Sequence, residues 1–436
     1  MSTSSESWSL PANPRAAAVA ATAAVAVFVG AWIGLHAGFY RHSQIVDTPI
    51  YQRYGDAIAN GQVPYRDFEL EYPPAALPLF VVPSLLRSPD GDLSGYRRGF
   101  EAEMLVCGAL VLLFMLSILL RLEAGGLRMG AALGFAAVAP LLLGSVELSR
   151  FDLWPAALTT GALAAFVAGR QRLGAGALGL AVAAKLFPAV LAPLAAVWIW
   201  RRTGRRELLV CAGVFAVVLA VCFVPFLALS PHGVWHSVTT QTGRPLQIET
   251  LGAGVLLVAH AVGGLGITMQ SGHGSQNLAG RGPDALATVQ TVLQAAALVV
   301  TWIWFGRGPA TRERLVRASA AAVCGFIAFG KVLSPQFLIW LVPLVPLVRG
   351  RRGLAASALL AAALVLTQLW FPFRYWDLVL HFRTFPSWLV LLRDLALVAL
   401  FAVLTVPGTV KSRGEKSPPS RVFTVPGTVK EDGGRD

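Results

Sequence analysis

Residues 174–200 read GAGALGLAVAAKLFPAVLAPLAAVWIW, and the next six read RRTGRR. A run of about 27 apolar residues exceeds what one membrane crossing needs. Lys185 and Pro188 fall near its middle, and a lysine and a proline there imply two short helices that turn near one membrane face, or one kinked helix. The arginines that follow mark the other end as cytoplasmic. Ala318 to Val348 repeats the design, with a break at Lys331-Val332-Leu333-Ser334-Pro335-Gln336 and with Arg349, Arg351 and Arg352 after it.

The same grammar extends along the chain. It has 436 residues, 55% of them hydrophobic and only 14% charged, against roughly a quarter charged in soluble domains. Apolar runs at 16–38, 100–120, 130–147, 153–169, 207–229, 285–305, 354–370 and 388–406 read as further spans. With each broken run counted as two helices the expectation is an all-α polytopic membrane protein with about twelve spans. Ala75–Leu86 is shorter, with two internal prolines, and reads as re-entrant or interfacial. The net charge of +13 sits in short loops between spans, as the positive-inside rule requires. No soluble basic domain exists to hold a duplex, so nucleic acid is excluded as a partner, and the lipid bilayer is the expected environment. Cys107, Cys211, Cys222 and Cys324 all lie in apolar runs and read as buried hydrophobes.

This topology puts both termini in the cytoplasm. Residues 1–15 read as a disordered cytoplasmic N-terminus, 16–406 as the transmembrane domain, and 407–436 as a low-complexity cytoplasmic tail in which TVPGTVK occurs twice, at 405–411 and 424–430. Two large external loops are expected, 39–99 with juxtamembrane helices and 230–284, the latter flexible around 269–282. The turns at Lys185 and Lys331 and the segment Ser149–Asp152 fall on the same external face.

The first external loop contains IVDTPIYQRYGDAIANGQVPYRDFELEYPP, residues 45–74. Its carboxylates alternate with tyrosines. Carboxylates take protons and rings stack on sugar faces, which suits a hydroxylated substrate; a solvated loop with turn chemistry at Asn60-Gly61 and Pro73-Pro74 is the plainer alternative. Lys185 and Lys331 are costly within apolar runs, and either hold a lipid phosphate or snorkel to the interface. Arg150 with Asp152, and Arg244 with Glu249, either contact substrate or pair structurally. His232, His236 and His381 lack ligand spacing, so no metal site is expected. Arg393-Asp394 reads as an anchor near the interface.

The pattern Asp47-x-x-x-Tyr51, Gly61-x-x-Pro64-Tyr65-x-Asp67-Phe68, Glu71-Tyr72-Pro73-Pro74 resembles the first external loop of glycosyltransferase family 87. Ser149-Arg150-Phe151-Asp152, Lys185-Leu186-Phe187-Pro188, Arg244-Pro245-Leu246-Gln247-Ile248-Glu249-Thr250 and Lys331-Val332-Leu333-Ser334-Pro335-Gln336 follow in the family's order. Thr250 departs from the serine more often found there and keeps a hydroxyl. The resemblance implies a GT-C-type membrane enzyme. It would transfer a sugar, mannose above all, from a polyprenyl-phosphate donor to a glycan, glycolipid or protein acceptor. Asp47 stands where the family has its catalytic base, with Asp56 and Glu71 as the alternatives. Tyr51, Asp56, Glu71, Arg150, Asp152, Lys185, Arg244, Glu249, Lys331 and Gln336 are the expected substrate contacts. Inverting transfer needs such a carboxylate to take the acceptor's proton. No nucleotide-binding motif and no bound cofactor is implied, which favours a lipid-linked donor. A transporter or flippase of a lipid-linked substrate would also use broken helices, but it usually shows repeated halves, and the asymmetric first loop has no counterpart. A non-catalytic scaffold would have little use for these charges.

Overall fold

A computed structural model describes residues 14–41, 44–86 and 92–406. Residues 1–13 of the expected N-terminal segment and the tail from 407 lie outside the described residues. Among the described residues seventeen α-helices follow in order: α1 (Pro14–Gly34), α2 (Thr48–Ala59), α3 (Leu77–Leu86), α4 (Leu93–Arg121), α5 (Gly126–Leu143), α6 (Val146–Ser149), α7 (Leu153–Val167), α8 (Gln171–Ala184) and α9 (Ala192–Thr203). Next come α10 (Arg205–Leu229), α11 (Pro231–Thr242), α12 (Leu251–Gly263), α13 (Arg281–Arg307), α14 (Arg312–Ala328), α15 (Gly350–Trp370), α16 (Tyr375–His381) and α17 (Thr384–Thr405). The chain is an all-α polytopic membrane protein with one small sheet added.

Among the described residues, seven helices are long and apolar enough to cross a membrane: α1, α4, α5, α10, α13, α15 and α17. The remaining expected spans are shorter. Helix α7 has 15 residues, α8 has 14 and α9 has 12, and 15 residues reach only about 22 Å at the rise of an α-helix. These short helices are protected by position. Almost every side chain from Leu315 to Ala328 of α14 is buried, as is most of α7. They form an inner layer wrapped by longer helices. Small residues permit that close packing: at Gly179 of α8 a Cβ would stand 3.1 Å from the Phe215 carbonyl of α10.

The first broken run divides as expected, into α8, an extended Lys185, a 3-10 turn over Phe187–Leu191, and α9. The second does not. After α14, Ser334 is extended before Pro335, as residues before proline tend to be, and the chain continues as two 3-10 turns, Pro335–Trp340 and Val345–Leu347. Pro335, Pro343 and Pro346 supply no N–H to an α-ladder there.

The stretch 230–284 also differs from a flexible loop. It holds α11, α12 and an antiparallel sheet ordered β1-β3-β2, of β1 (Leu246–Gln247), β2 (Thr268–Gly272) and β3 (Ser275–Ala279). Leu246 pairs with Leu278, and Ser271 with Gln276. The Gly and Ser content that suggested mobility supplies a tight turn, with His273 and Gly274 both at positive φ.

Contacts sort the helix ends into two sets. Arg128 Nη2 donates to the Leu347 carbonyl at 2.7 Å, and Arg312 Nε to the Val167 carbonyl at 3.0 Å. Arg172 pairs with Glu207 at 2.8 Å, Arg349 with Glu313 at 3.0 Å, and Arg201 reaches the Gly306 carbonyl. The basic turns therefore gather at one end. From that end α5, α8, α10, α14 and α15 run to the other, and α7 and α13 run back from it; at the far end Ile45–Pro74, Ser145–Asp152, Lys185, the small sheet and the Lys331 turn meet around one cavity.

Candidate active site

The first loop is built as a rigid wall. Helix α2 carries Pro49 in its first turn, where a missing N–H costs nothing, and Asp47 stands just before it. Helices α2 and α3 touch so closely that a Cβ at Gly55 would lie 1.9 Å from the Phe80 carbonyl. Tyr51 stacks on Phe80 with ring centroids 4.6 Å apart, and Tyr72 meets Phe151 edge-on at 5.0 Å. Tyr65 donates to the Tyr72 carbonyl at 2.6 Å, and Ser230, at the start of α11, donates to the Tyr65 carbonyl at 2.9 Å. Aromatic pairs of this kind add to burial, so the wall is ordered before any substrate arrives.

The cavity has a volume of about 590 Å³, within the range of small-molecule sites. Every sequence-expected site residue lines it except Asp56. Asp56 points elsewhere: its carboxylate accepts a hydrogen bond from Ser84 at 2.8 Å and ties α2 to α3. The structure therefore does not bring Asp56 together with the other expected site residues.

Asp47 is paired with the Arg150 guanidinium, and Tyr51 donates to its Oδ2 at 3.4 Å. Arg150 also reaches the Ile45 carbonyl at 3.5 Å. Burial pushes the Arg150 guanidinium down to about 10, against the pull of Asp152 and Glu249. Asp152 is 1% exposed and accepts from Lys185 Nζ at 2.6 Å and from Trp340 Nε1 at 2.7 Å. The Lys185 ammonium lies 4.6 Å from the Phe151 ring centre and 5.1 Å from that of Trp340, within cation–π range. Lys185 is thus turned into the cavity and does not snorkel.

These pairings differ from those the sequence offered. Arg150 takes Asp47 as its partner, and Asp152 takes Lys185. Arg244 lies 3.6 Å from Glu71. Glu249, 3% exposed, is instead backed by Arg393, whose Nη2 donates to the Glu249 carbonyl at 2.6 Å. Burial pushes the Glu249 carboxyl up to about 8, with Arg393 and Arg150 opposing and Asp394 adding to the shift. Arg393 and Asp394, expected near the interface, are both fully buried.

The two lysine turns meet face to face. Phe187, two residues after Lys185, stacks on Trp340 with centroids 3.9 Å apart and planes at 2°. Lys331 lines the cavity, and its carbonyl accepts from the Gln247 N–H at 3.1 Å, while Gln247 Nε2 donates to Ser334 Oγ at 2.9 Å. Tyr72, Gln247, Ser334, Trp340 and Tyr375 join the lining without having been singled out. Tyr72, Gln247 and Ser334 stood inside the quoted motifs, and that was the signal available for them. Among the described residues no group of three or more His, Cys, Asp or Glu is placed to hold a metal ion.

A cavity lined by aromatic rings, carboxylates and the four cations Arg150, Lys185, Arg244 and Lys331, at one end of a membrane helix bundle, has the make-up of a candidate active site. The sequence model of glycosyltransferase family 87 matches residues 70–335. The chain belongs to that family and is a membrane glycosyltransferase. No curated protein matches it. Solved structures of similar shape include ArnT from Cupriavidus metallidurans bound to undecaprenyl phosphate, at 16% identity and a TM-score of 0.47 over 88% of this chain and 76% of that one. Another is ArnT in the apo state, at 13% identity and a TM-score of 0.45 over 88% and 77%. Likeness at that level leaves the functional reading to the family and the site.

Proposed function

We propose that this glycosyltransferase moves a sugar, mannose in the first instance, from a polyprenyl-phosphate donor to a hydroxyl of a glycan, glycolipid or protein acceptor, with inversion. The observation that carries the reading is one cavity lined by both an oriented carboxylate, Asp47 held by Arg150 and Tyr51, and the cations Lys185 and Lys331. Asp47 takes the proton as the acceptor oxygen attacks the anomeric carbon. The bond from that carbon to the phosphate oxygen breaks, and polyprenyl phosphate leaves as an anion. Lys185 and Lys331 stabilise the charge that develops on it. The departing phosphate needs no carboxylic acid to protonate it, unlike the leaving group of most glycosidases.

The arginine-rich end fits the cytoplasm under the positive-inside rule, which supports a cavity on the external face of the cell membrane and cytoplasmic termini. Family membership in a transferase group disfavours the transporter. The test is transfer of radiolabelled mannose from polyprenyl-phosphate mannose in membranes, wild type against Asp47→Ala and Asp47→Asn at equal protein levels. Transfer by the wild type and loss in both variants is the expected result. Transfer that survives both would move the base to Glu71. No transfer from any lipid-linked sugar, with a broad acceptor pool, would overturn the reading.

A further inference from the structure

Arg393 and Asp394 stand midway along α17, a helix long and apolar enough to cross the membrane, and neither is exposed at all. Arg393 Nε lies 2.7 Å from Asp394 Oδ1, and its guanidinium carbon is 5.8 Å from the Trp370 ring centre. An ion pair buried this deeply is expensive, and two apolar side chains of similar volume would hold the helices as well or better. What an apolar pair would not supply is the bond from Arg393 Nη2 to the Glu249 carbonyl, at 2.6 Å. Glu249 lines the cavity, and the next residue, Thr250, is the N-cap of α12. The chain from Gln247 to Thr250 is fixed on its other side by the Gln247 bonds to the Lys331 carbonyl and to Ser334. Arg393 therefore grips the open side of a segment whose far side is already anchored. Arg150, the partner of Asp47, acts electrostatically on the same Glu249 carboxyl.

We propose that Arg393, oriented by Asp394, is a positioning residue that sets the Glu249 carboxyl in the cavity for contact with a sugar hydroxyl of the substrate. The inference rests on the transferase reading above. It differs from a plain helix staple in what it costs to remove the pair.

The deciding variant is the double replacement Arg393→Met with Asp394→Leu, which leaves no unpaired buried charge. Its thermal midpoint in detergent should equal or exceed that of the wild type. Its transfer of mannose from polyprenyl-phosphate mannose should fall about tenfold or more, as for a misplaced contact group, with the KM of one substrate raised. Arg393→Lys should recover part of the loss. Glu249→Ala should fall comparably, and combining it with the double replacement should cost little more, because both act through one group. A stable double variant with full activity, or losses that multiply, would overturn the proposal and leave a staple. A second readout is independent of catalysis. With Glu249→Cys in a cysteine-free chain, the thiol's rate of labelling by a methanethiosulfonate should change several-fold when the Arg393–Asp394 pair is replaced. An unchanged rate would also overturn it. Absence of transfer by the wild type would sink the transferase reading alone, since the labelling comparison still tests the position of residue 249.

Discussion

The two ends of this helix bundle both carry ion pairs, and the pairs are of different kinds. At the arginine end, the side chains of Arg172 and Arg349 are 64% and 68% exposed while pairing with Glu207 and Glu313. At the cavity end, Lys185 is 18% exposed and its partner Asp152 only 1%. Exposed pairs contribute little to stability because water and salt screen them. Buried pairs pay a large desolvation cost that their attraction barely offsets. Several of them around one cavity, braced by Phe151 and Trp340 rings, are what the proposed chemistry requires. The arginine end does something simpler. Arg128, Arg312 and Arg314 donate to carbonyls near helix ends, where backbone acceptors lack partners and cations are favoured.

The comparison is broken most severely at Asp47. Asp47→Asn keeps the shape of the side chain and removes the proposed base, and transfer should fall by about 10²–10⁴-fold. Initial rates in membranes at matched protein levels measure it. A loss below tenfold would mean that the cavity end is no more catalytic than the arginine end.

Lys185 comes next. Lys185→Met should lower transfer by about 10²-fold, as removal of one stabilising donor does. It also strands Asp152 and should destabilise the fold by about 3–5 kcal/mol. Adding Asp152→Asn should recover much of the stability and none of the activity. Recovery of both would make Lys185 structural, and thermal midpoints beside initial rates separate the two cases.

Much of this contrast was legible in the sequence. A lysine inside an apolar run announces its cost wherever it lies, so Lys185 and Lys331 stood out, and the motifs' order placed Asp47, Glu71, Arg150 and Glu249 on one face. The partners were not legible. Arg150 was open to pairing with its near neighbour Asp152 and instead takes Asp47, more than a hundred positions away. Sequence states what a buried charge costs, whereas helix packing decides which partner relieves it. The same limit explains Asp56, whose place on α2 faces Ser84. It explains Arg393, which looked like an interface residue because two charges on a span usually are. The β2–β3 hairpin was hidden for another reason. Gly and Ser mark a turn but do not report whether the flanking residues pair.

A subtler contrast lies in response to pH. Burial opposes the charge on Glu249 and pushes its carboxyl up to about 8 in the fold, well above its value in an unfolded chain. The folded state therefore binds a proton that the unfolded state has released. Stability should fall as pH rises from about 5 to about 8, then level off. Thermal midpoints in detergent at about pH 6 and pH 9 should differ in the wild type by more than in Glu249→Gln, which carries no titratable carboxyl. Equal differences in the two proteins would remove Glu249 as the source.

The smallest effect belongs to the arginine end. Arg172→Gln cuts the exposed pair with Glu207 and leaves the helix ends around it capped by other arginines. Transfer should stay within about twofold of wild type, and the thermal midpoint should scarcely move, because water replaces the lost partner on both sides. Raising the salt concentration should mimic the substitution, since screening weakens an exposed pair in the same direction. A large fall in transfer after Arg172→Gln would show that the two ends are coupled through α8, the helix that begins beside Arg172 and ends at Lys185. The distinction between an anchoring end and a chemical end would then fail at that helix first.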